Sequence, residues 1–307
     1  MGAAMLTLSQ TTSLTGIYIS LITVGLSSGF YLPSGIAILT DLVSREHWGR
    51  AIAVHEVAPN LGFVSAPLLV EALLRFLPWR GTLALMGSWS IFMGLIFLFF
   101  GPGGNHKGEA PKLSAMRGIL TQPSFWMMAA LFSVAIGASF GIYSMASLFL
   151  VSERGMTREW ANTLVGLSKA AGFLTLFFAG WLTDRAGHKR AVVLFLTTTG
   201  LFILLIGIIQ NPGMTPMFIV LQASSSACTF PAGFAMLWDT FPPPFRNLAM
   251  SLVILIGSLL GGGVFPLGIG YIAERFSFSW SFFLLGILTL SMVPFLVLVR
   301  PCERVDP

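Results

Sequence analysis

Residues 180–209 read GWLTDRAGHKRAVVLFLTTTGLFILLIGII, a short charged segment followed by an uncharged apolar run over 191–209. At about 1.5 Å per helical residue, this run is long enough to cross a hydrocarbon core of roughly 30 Å. Comparable runs recur along a chain that is 55% hydrophobic and only 9% charged, with a mean hydropathy of +0.84. Because backbone groups in a bilayer have no water to bond, such runs form packed helices. The sequence therefore predicts an all-α, polytopic membrane helix bundle.

Proline- and glycine-rich stretches at 101–112, 211–216 and 241–247 separate the apolar runs and set the limits of the predicted spans. The predicted complete spans are 14–40, 51–75, 80–101, 124–150, 160–183, 191–209, 215–239, 248–271 and 279–299. Residues 1–9 are expected to be the tail of a further helix. The chain is expected to divide into a partial N-terminal half bundle (1–101), a cytoplasmic central loop (102–123) and a C-terminal six-helix half bundle (124–307).

Loop charges set the predicted orientation. Loops on one side of the bundle hold eleven Lys and Arg residues, and loops on the other side hold five. Lys and Arg collect in the cytoplasmic loops of membrane proteins, so the C-terminus is predicted to be cytoplasmic and the protein to lie in a bacterial inner membrane. The net charge of +5 follows from these loops, and no nucleic-acid partner is predicted.

An internal repeat relates two parts of the chain. PSGIAILTD at 33–41 and PAGFAMLWD at 231–239 share Pro, Gly, Ala, Leu and Asp at a constant spacing. Parallel repeats are typical of transporters built from two similar halves. The same spacing places the counterpart of the helix that begins near Ser124 before Met1. The sequence thus predicts that the chain begins within its first half, without two helices and most of a third.

The segment GWLTDRAGHKR at 180–190 resembles the cytoplasmic loop signature G-x-L-x-D-R-x-G-x-K/R-R/K of the major facilitator superfamily. The resemblance implies a two-half bundle that moves a small molecule by alternating access, with 14–40, 124–150 and 215–239 lining the cavity. It also implies a cytoplasmic gate, in which Arg185 or Arg190 pairs with Asp239. The predicted gate residues are Gly180, Asp184, Arg185, Gly187, Arg190, Asp239 and Asp41, the last left without its partner in this chain.

Ionisable side chains inside spans are the first candidates for substrate or coupling residues, since each costs at least about 2.5–3.5 kcal/mol at mid-helix. Lys169 lies within the span 160–183. It is expected to bind an anionic substrate, to pair with an acidic side chain, or to extend along a groove between helices. Tyr31, Tyr143 and Gln222, in the cavity-lining helices, are further substrate candidates.

The segment HEVAPN at 55–60 places His55, Glu56 and Asn60 inside an apolar helix. A HExxH zinc site needs a second histidine at i+4, but that residue is Pro59, so no metal site, cofactor or enzymatic activity is predicted. Pro59 leaves a carbonyl without its helical donor and bends the helix. One hypothesis is that Glu56, tuned by His55, couples proton movement to transport. The alternative is a structural polar cluster that holds the bend.

Together these patterns predict a monomeric secondary transporter for a small organic solute or anion, with protons as the candidate coupling ion. Its predicted partners are the lipid bilayer and a small-molecule substrate. The alternative is a truncated, non-transporting remnant or a membrane sensor of the same fold. The sequence does not specify the substrate or the direction of transport.

Overall fold

The computed structural model describes residues 1–29, 31, 35, 38, 42–43, 48–101, 113–242 and 245–296, and among these it leaves out the side chains of 48–57, 59–60, 113–115, 177, 184 and 247. The helices of the first part are α1 (Gly2–Gln10), α2 (Leu14–Gly29), α3 (Trp48–Leu74) and α4 (Trp79–Phe100). They are followed by α5 (Leu113–Leu120), α6 (Pro123–Arg154), α7 (Arg158–Ala186), α8 (His188–Ile208) and α9 (Thr215–Thr240). The last two are α10 (Arg246–Gly257, Ser258–Val264 and Phe265–Arg275) and α11 (Phe278–Leu296).

Long apolar helices confirm the prediction of a helical membrane protein. Among the described residues, six helices are long and apolar enough to cross a membrane, namely α4, α6, α8, α9, α10 and α11. The helix α2 and the apolar part of α3, Leu61–Leu74, are shorter, and α7 carries Lys169 between charged ends. The count of nine spans therefore stays a prediction, although a helix lies at each predicted position.

The chain divides into two compact units, Met1–Ala110 and Pro111–Pro307. In the first unit, α1 packs closely on α4. The space at Gly2 is so small that a Cβ atom there would lie 2.6 Å from the carbonyl oxygen of Gly87. Arg80, in the first turn of α4, donates to the carbonyls of Ser9 and Thr11 at 3.0 and 2.7 Å. The last carbonyls of a helix have no helical donor, so Arg80 completes the end of α1.

Two apolar clusters form the core of the second unit. The first includes Phe125 and Phe241, and the second includes Phe149 and Phe282. Helix α6 contributes to the first cluster as far as Val134 and to the second from Ala138 onward. The middle of α6 is therefore the place where the two clusters meet.

Two π-helical segments, Gly137–Gly141 in α6 and Ser258–Val264 in α10, contact each other at this level. A Cβ atom on Gly261 would lie 2.4 Å from the carbonyl oxygen of Ser133 and 2.8 Å from the backbone nitrogen of Gly137. Small residues allow membrane helices to approach this closely. The pairing of the two segments therefore depends on glycine.

Glu153 and Arg154, at the end of α6, join the ends of two other helices. Glu153 accepts hydrogen bonds from the backbone nitrogen of Phe278 and from the nitrogen and hydroxyl of Ser279, the last two at 3.1 and 2.7 Å. Arg154 donates to the carbonyl of Ile209 at 3.0 Å. The carboxylate thus lies at the positive start of α11 and the guanidinium at the negative end of α8, as the helix dipoles favour.

Part of the predicted central loop 102–123 is helical. Residues 102–112 lie outside the described residues, whereas Leu113–Leu120 forms α5. Ile119 is fully buried in the first apolar cluster, and the indole nitrogen of Trp126 donates to the carbonyl of Leu120 at 2.9 Å. The stretch is ordered by packing on α6, which its polar composition did not indicate.

Candidate functional site

Lys169 lies in the middle of α7 and points its ammonium group at α6. Its Nζ atom donates to the hydroxyl of Ser139 at 3.3 Å. The same atom lies 4.8 Å from the centroid of the Tyr143 ring, within the range of a cation–π contact. Two neutral groups of α6 therefore contact this cation.

The π-helical segment of α6 supplies the first of these groups and adjoins the second. Ser139 lies within Gly137–Gly141 and is buried, and Tyr143 follows in the next turn. Residues four apart share one side of an α-helix, and the wider π turn alters that spacing locally. The position of both groups opposite Lys169 thus depends on the helical register of this segment.

Gln222 on α9 reaches the same segment from another direction. Its Nε2 atom donates to the carbonyl oxygen of Ala138 at 2.9 Å. Both residues are buried, with Gln222 only 3% exposed. The structure thus brings together three predicted site residues, Lys169, Tyr143 and Gln222. The amide of Gln222, however, is hydrogen-bonded to the backbone of α6.

Lys169 has no acidic partner among the described side chains of the second unit. The carboxylate of Glu153 is engaged by the start of α11 and that of Asp239 by His188. No described carboxylate of residues 113–296 lies within 4.0 Å of the Lys169 ammonium. The described part of the second unit thus supplies no acidic partner for Lys169, and all three sequence interpretations of Lys169 stay predictions.

Other predicted substrate and coupling residues lie in the first unit. Tyr31 has an exposed side chain. His55, Glu56 and Asn60 belong to α3, but their side chains lie outside the described residues. The roles assigned to these four residues stay predictions, and so does proton coupling.

The predicted gate region shows one difference from expectation. Asp239 lies at the end of α9, and its Oδ2 atom lies 2.6 Å from Nδ1 of His188, rather than beside Arg185 or Arg190. The guanidinium of Arg185 instead stacks 4.7 Å from the centroid of the Trp181 ring. The predicted arginine–Asp239 pair is therefore wrong.

A glycine explains which residue reaches Asp239. Gly187 has a φ of +84°, which glycine adopts without strain, and it turns the chain between α7 and α8. His188 follows at the first position of α8 and faces α9. The Gly180 and Gly187 positions agree with the signature, whereas Asp41 and the side chain of Asp184 lie outside the described residues. The gate itself stays a prediction.

Sequence reasoning missed three features of the second unit. His188 occupies a variable position of the loop signature, so the signature gave it no role. Ser139 lies in GASFG, where the two flanking glycines are the only local sign of irregular helix. The capping roles of Glu153 and Arg154 are not predicted from the sequence, because nothing in the local sequence distinguishes a capping charge from an exposed one.

The sequence of the chain is similar to those of known transport proteins. Residues 1–174 and 159–307 match the sequence profile of the Major Facilitator Superfamily. The chain is 24% identical over 263 residues to the gallate transporter of Pseudomonas putida, covering 79% of this chain and 57% of that protein. It is 22% identical over 264 residues to the cis,cis-muconate transport protein of Acinetobacter baylyi, covering 81% of this chain and 63% of that protein. The chain thus spans less than two thirds of the length of either relative.

A solved structure has the same fold. A bacterial homologue of the human lysosomal transporter Spinster, in an inward-facing and occupied conformation, matches 97% of this chain and 78% of its own with a TM-score of 0.70 and 16% identity. The two profile matches together cover the chain from residue 1 to residue 307. The profile matches and the apolar helices together show that the chain is an integral membrane protein of the Major Facilitator Superfamily, a family of transporters.

Proposed function

We propose that this protein is a secondary transporter that moves a small organic anion by alternating access, with Lys169 as the residue that binds the anion. Transport in such two-half proteins takes place around a site near the middle of the membrane. The bacterial inner membrane, with a cytoplasmic C-terminus, is the proposed location. Proton coupling through Glu56 and His55 belongs to the same proposal and rests on the sequence alone.

The environment of Lys169 is the single observation that carries the proposal. A cation inside a membrane helix is costly and is expected to serve a function. Here its described partners are a hydroxyl and an aromatic ring, neither of which neutralises the charge. An incoming carboxylate would add a charge-assisted hydrogen bond, which is about twice as strong as a neutral one.

The similar proteins support the choice of anion. Gallate and cis,cis-muconate, after which two relatives are named, both carry carboxylates that are ionised at neutral pH. The proposed substrate class is therefore a small carboxylate. An aromatic ring beside the ammonium, that of Tyr143, is also suited to stack on a planar substrate.

Uptake by the full-length protein in proteoliposomes tests this proposal. Saturable uptake of radiolabelled gallate or cis,cis-muconate is expected, whereas uptake of the uncharged benzamide is not. Lys169→Gln should raise the KM for the carboxylate about 10- to 100-fold, because hydrogen bonds to charged groups contribute about 1.5–3 kcal/mol. Lys169→Arg keeps the charge and should have a smaller effect.

Arg275→Gln is the matched control, because Arg275 also stacks on a tyrosine ring, at 3.9 Å from the Tyr271 centroid, but at the end of α10. It should leave the KM unchanged. Equal carboxylate uptake by Lys169→Gln and the parent would contradict the role of Lys169. Saturable binding of carboxylate without uptake would instead identify a membrane sensor or a non-transporting remnant.

A further inference from the structure

The π-helical segment Gly137–Gly141 is held from two sides by other helices. From α9, Gln222 donates to the carbonyl of Ala138 at 2.9 Å. From α10, the ring of Phe265 lies so close that a Cβ atom on Gly137 would be 2.6 Å from it. A hydrogen bond and a close packing contact therefore meet at two consecutive residues of the segment.

Support of this kind favours a π turn. Its hydrogen bonds run from residue i to i+5 rather than to i+4, and π turns are rare and are frequently found at functional sites. Irregular backbone inside a membrane bundle persists only where neighbouring groups satisfy its polar atoms. The Gln222 amide, which is buried, supplies such a group to the carbonyl of Ala138.

We infer that Gln222 is a positioning residue, which fixes the helical register of the π segment and thereby holds Ser139 against Lys169. Ser139 is the next residue after Ala138, so a shift of the Ala138 carbonyl also moves the Ser139 hydroxyl that accepts the Lys169 hydrogen bond. Gln222 acts through the backbone and not by contact with the substrate. This inference rests on the proposed function, since it gives Gln222 the role of holding the proposed anion site in its geometry.

A transport assay gives the first test. Gln222→Met keeps the volume of the side chain and removes the donor, and it should raise the KM for gallate or cis,cis-muconate about 3- to 10-fold, as expected for a loss near 1 kcal/mol. The kcat should stay within about twofold, because a substitution that weakens substrate binding alone raises the KM and leaves the kcat unchanged. A fall in kcat with an unchanged KM would contradict the positioning role.

Thr199→Val is the matched control. Thr199 is buried and forms another hydrogen bond to α9, with its hydroxyl 2.9 Å from that of Ser225. Valine keeps its shape, so the control removes an interhelical hydrogen bond to the same helix without touching the π segment. Its KM should equal that of the parent. A similar rise in KM for Thr199→Val would show that any loosening of α9 suffices, and would overturn the inference.

A thiol probe tests the register without any transport. Ser139→Cys, in a background with Cys228→Ala and Cys302→Ala, places a thiol beside the Lys169 ammonium, which favours the reactive thiolate. Ser139 is buried, so the alkylation rates by iodoacetamide are compared between variants of the detergent-solubilised full chain, and Lys169→Gln should slow the reaction. Adding Gln222→Met should slow it at least about threefold and move its pH dependence to higher pH, whereas adding Thr199→Val should not.

The two assays separate the possible failures. If the parent carries no carboxylate, the proposed function fails, and the alkylation rates still decide the role of Gln222. If Gln222→Met changes neither the KM nor the alkylation rate, the positioning role fails, whatever the substrate. Gln222→Asn, which keeps the amide but shortens the side chain, replaces Gln222→Met if that variant does not fold, and the same results are expected.

Discussion

At the scale of single residues, Lys169 and Arg154 show how differently two cations are accommodated in one bundle. The Arg154 side chain is 5% exposed, lies 4.0 Å from the Glu153 carboxylate and donates to backbone carbonyls. Lys169 donates to one hydroxyl and faces one ring. Arg154 is thus engaged by several groups of the fold, whereas no described carboxylate of residues 113–296 lies within 4.0 Å of the Lys169 ammonium.

The pair formed by Glu153 and the start of α11 makes a prediction about stability. Glu153→Ala removes the acceptor of three hydrogen bonds at a helix N-terminus, a loss of about 1–2 kcal/mol. For a unit of this size, we expect the Tm in detergent to fall by roughly 2–8 °C. Glu274→Ala, at an exposed position, should leave the Tm unchanged. Equal Tm values for both variants would show that the cap contributes little.

At the scale of the helices, the two π segments form a contact that is specific in position. The atoms nearest to a Cβ on Gly261 include backbone atoms of α6, whereas a Cβ on Gly263 would meet nothing within 4 Å. Backbone atoms do not move aside as a flexible side chain does. A side chain at Gly261 should therefore be poorly tolerated, whereas one at Gly263 should be tolerated.

This difference is testable with alanine. Gly261→Ala should destabilise the protein by about 1–3 kcal/mol or prevent folding, the usual effect of overpacking. Gly263→Ala should be neutral or slightly stabilising, because alanine favours the helix. Thermal unfolding of the two variants in detergent, followed by size-exclusion chromatography, checks the prediction. A Gly261→Ala protein as stable as its Gly263→Ala counterpart would contradict the close approach of α6 and α10.

The sequence predicts the helices well, because a bilayer requires long apolar runs and proline and glycine interrupt them. It also singles out Lys169, since a charge within such a run is rare and costly. It does not predict the π register of Gly137–Gly141, which depends on contacts with Gln222 and Phe265, distant in the chain. The sequence also predicts the wrong partner for Asp239, because the backbone turn at Gly187 decides which side chain faces α9.

At the scale of the whole molecule, membership of the Major Facilitator Superfamily indicates a transport role, and the loop charges predict an orientation in the membrane. The loops with more Lys and Arg are predicted to be cytoplasmic. Arg117, in α5, is predicted to lie on that side, and Met214, before α9, is predicted to lie on the other. Both residues have exposed side chains, so both sites are open to a probe.

Cysteine labelling in intact cells measures this orientation. In a background with Cys228→Ala and Cys302→Ala, Met214→Cys should react with a membrane-impermeant maleimide added outside. Arg117→Cys should react only after the membrane is permeabilised. Both proteins should be fully labelled in detergent, which shows that the thiols are accessible. The reverse pattern in intact cells would mean that the predicted topology is inverted.

The π turn in α6 also bears on which insertions and deletions this chain tolerates. Such a turn accommodates about one residue more than an α-helical turn, and each residue of an α-helix corresponds to about 100° of rotation. Loss of a single codon within 137–141 would therefore restore a regular helix and rotate everything from Ile142 to Arg154 about its axis. Tyr143 would leave Lys169, and Glu153 would leave the start of α11. One additional residue in this turn thus sets the rotation of α6 both at the contact between Tyr143 and Lys169 and at the contact between Glu153 and α11.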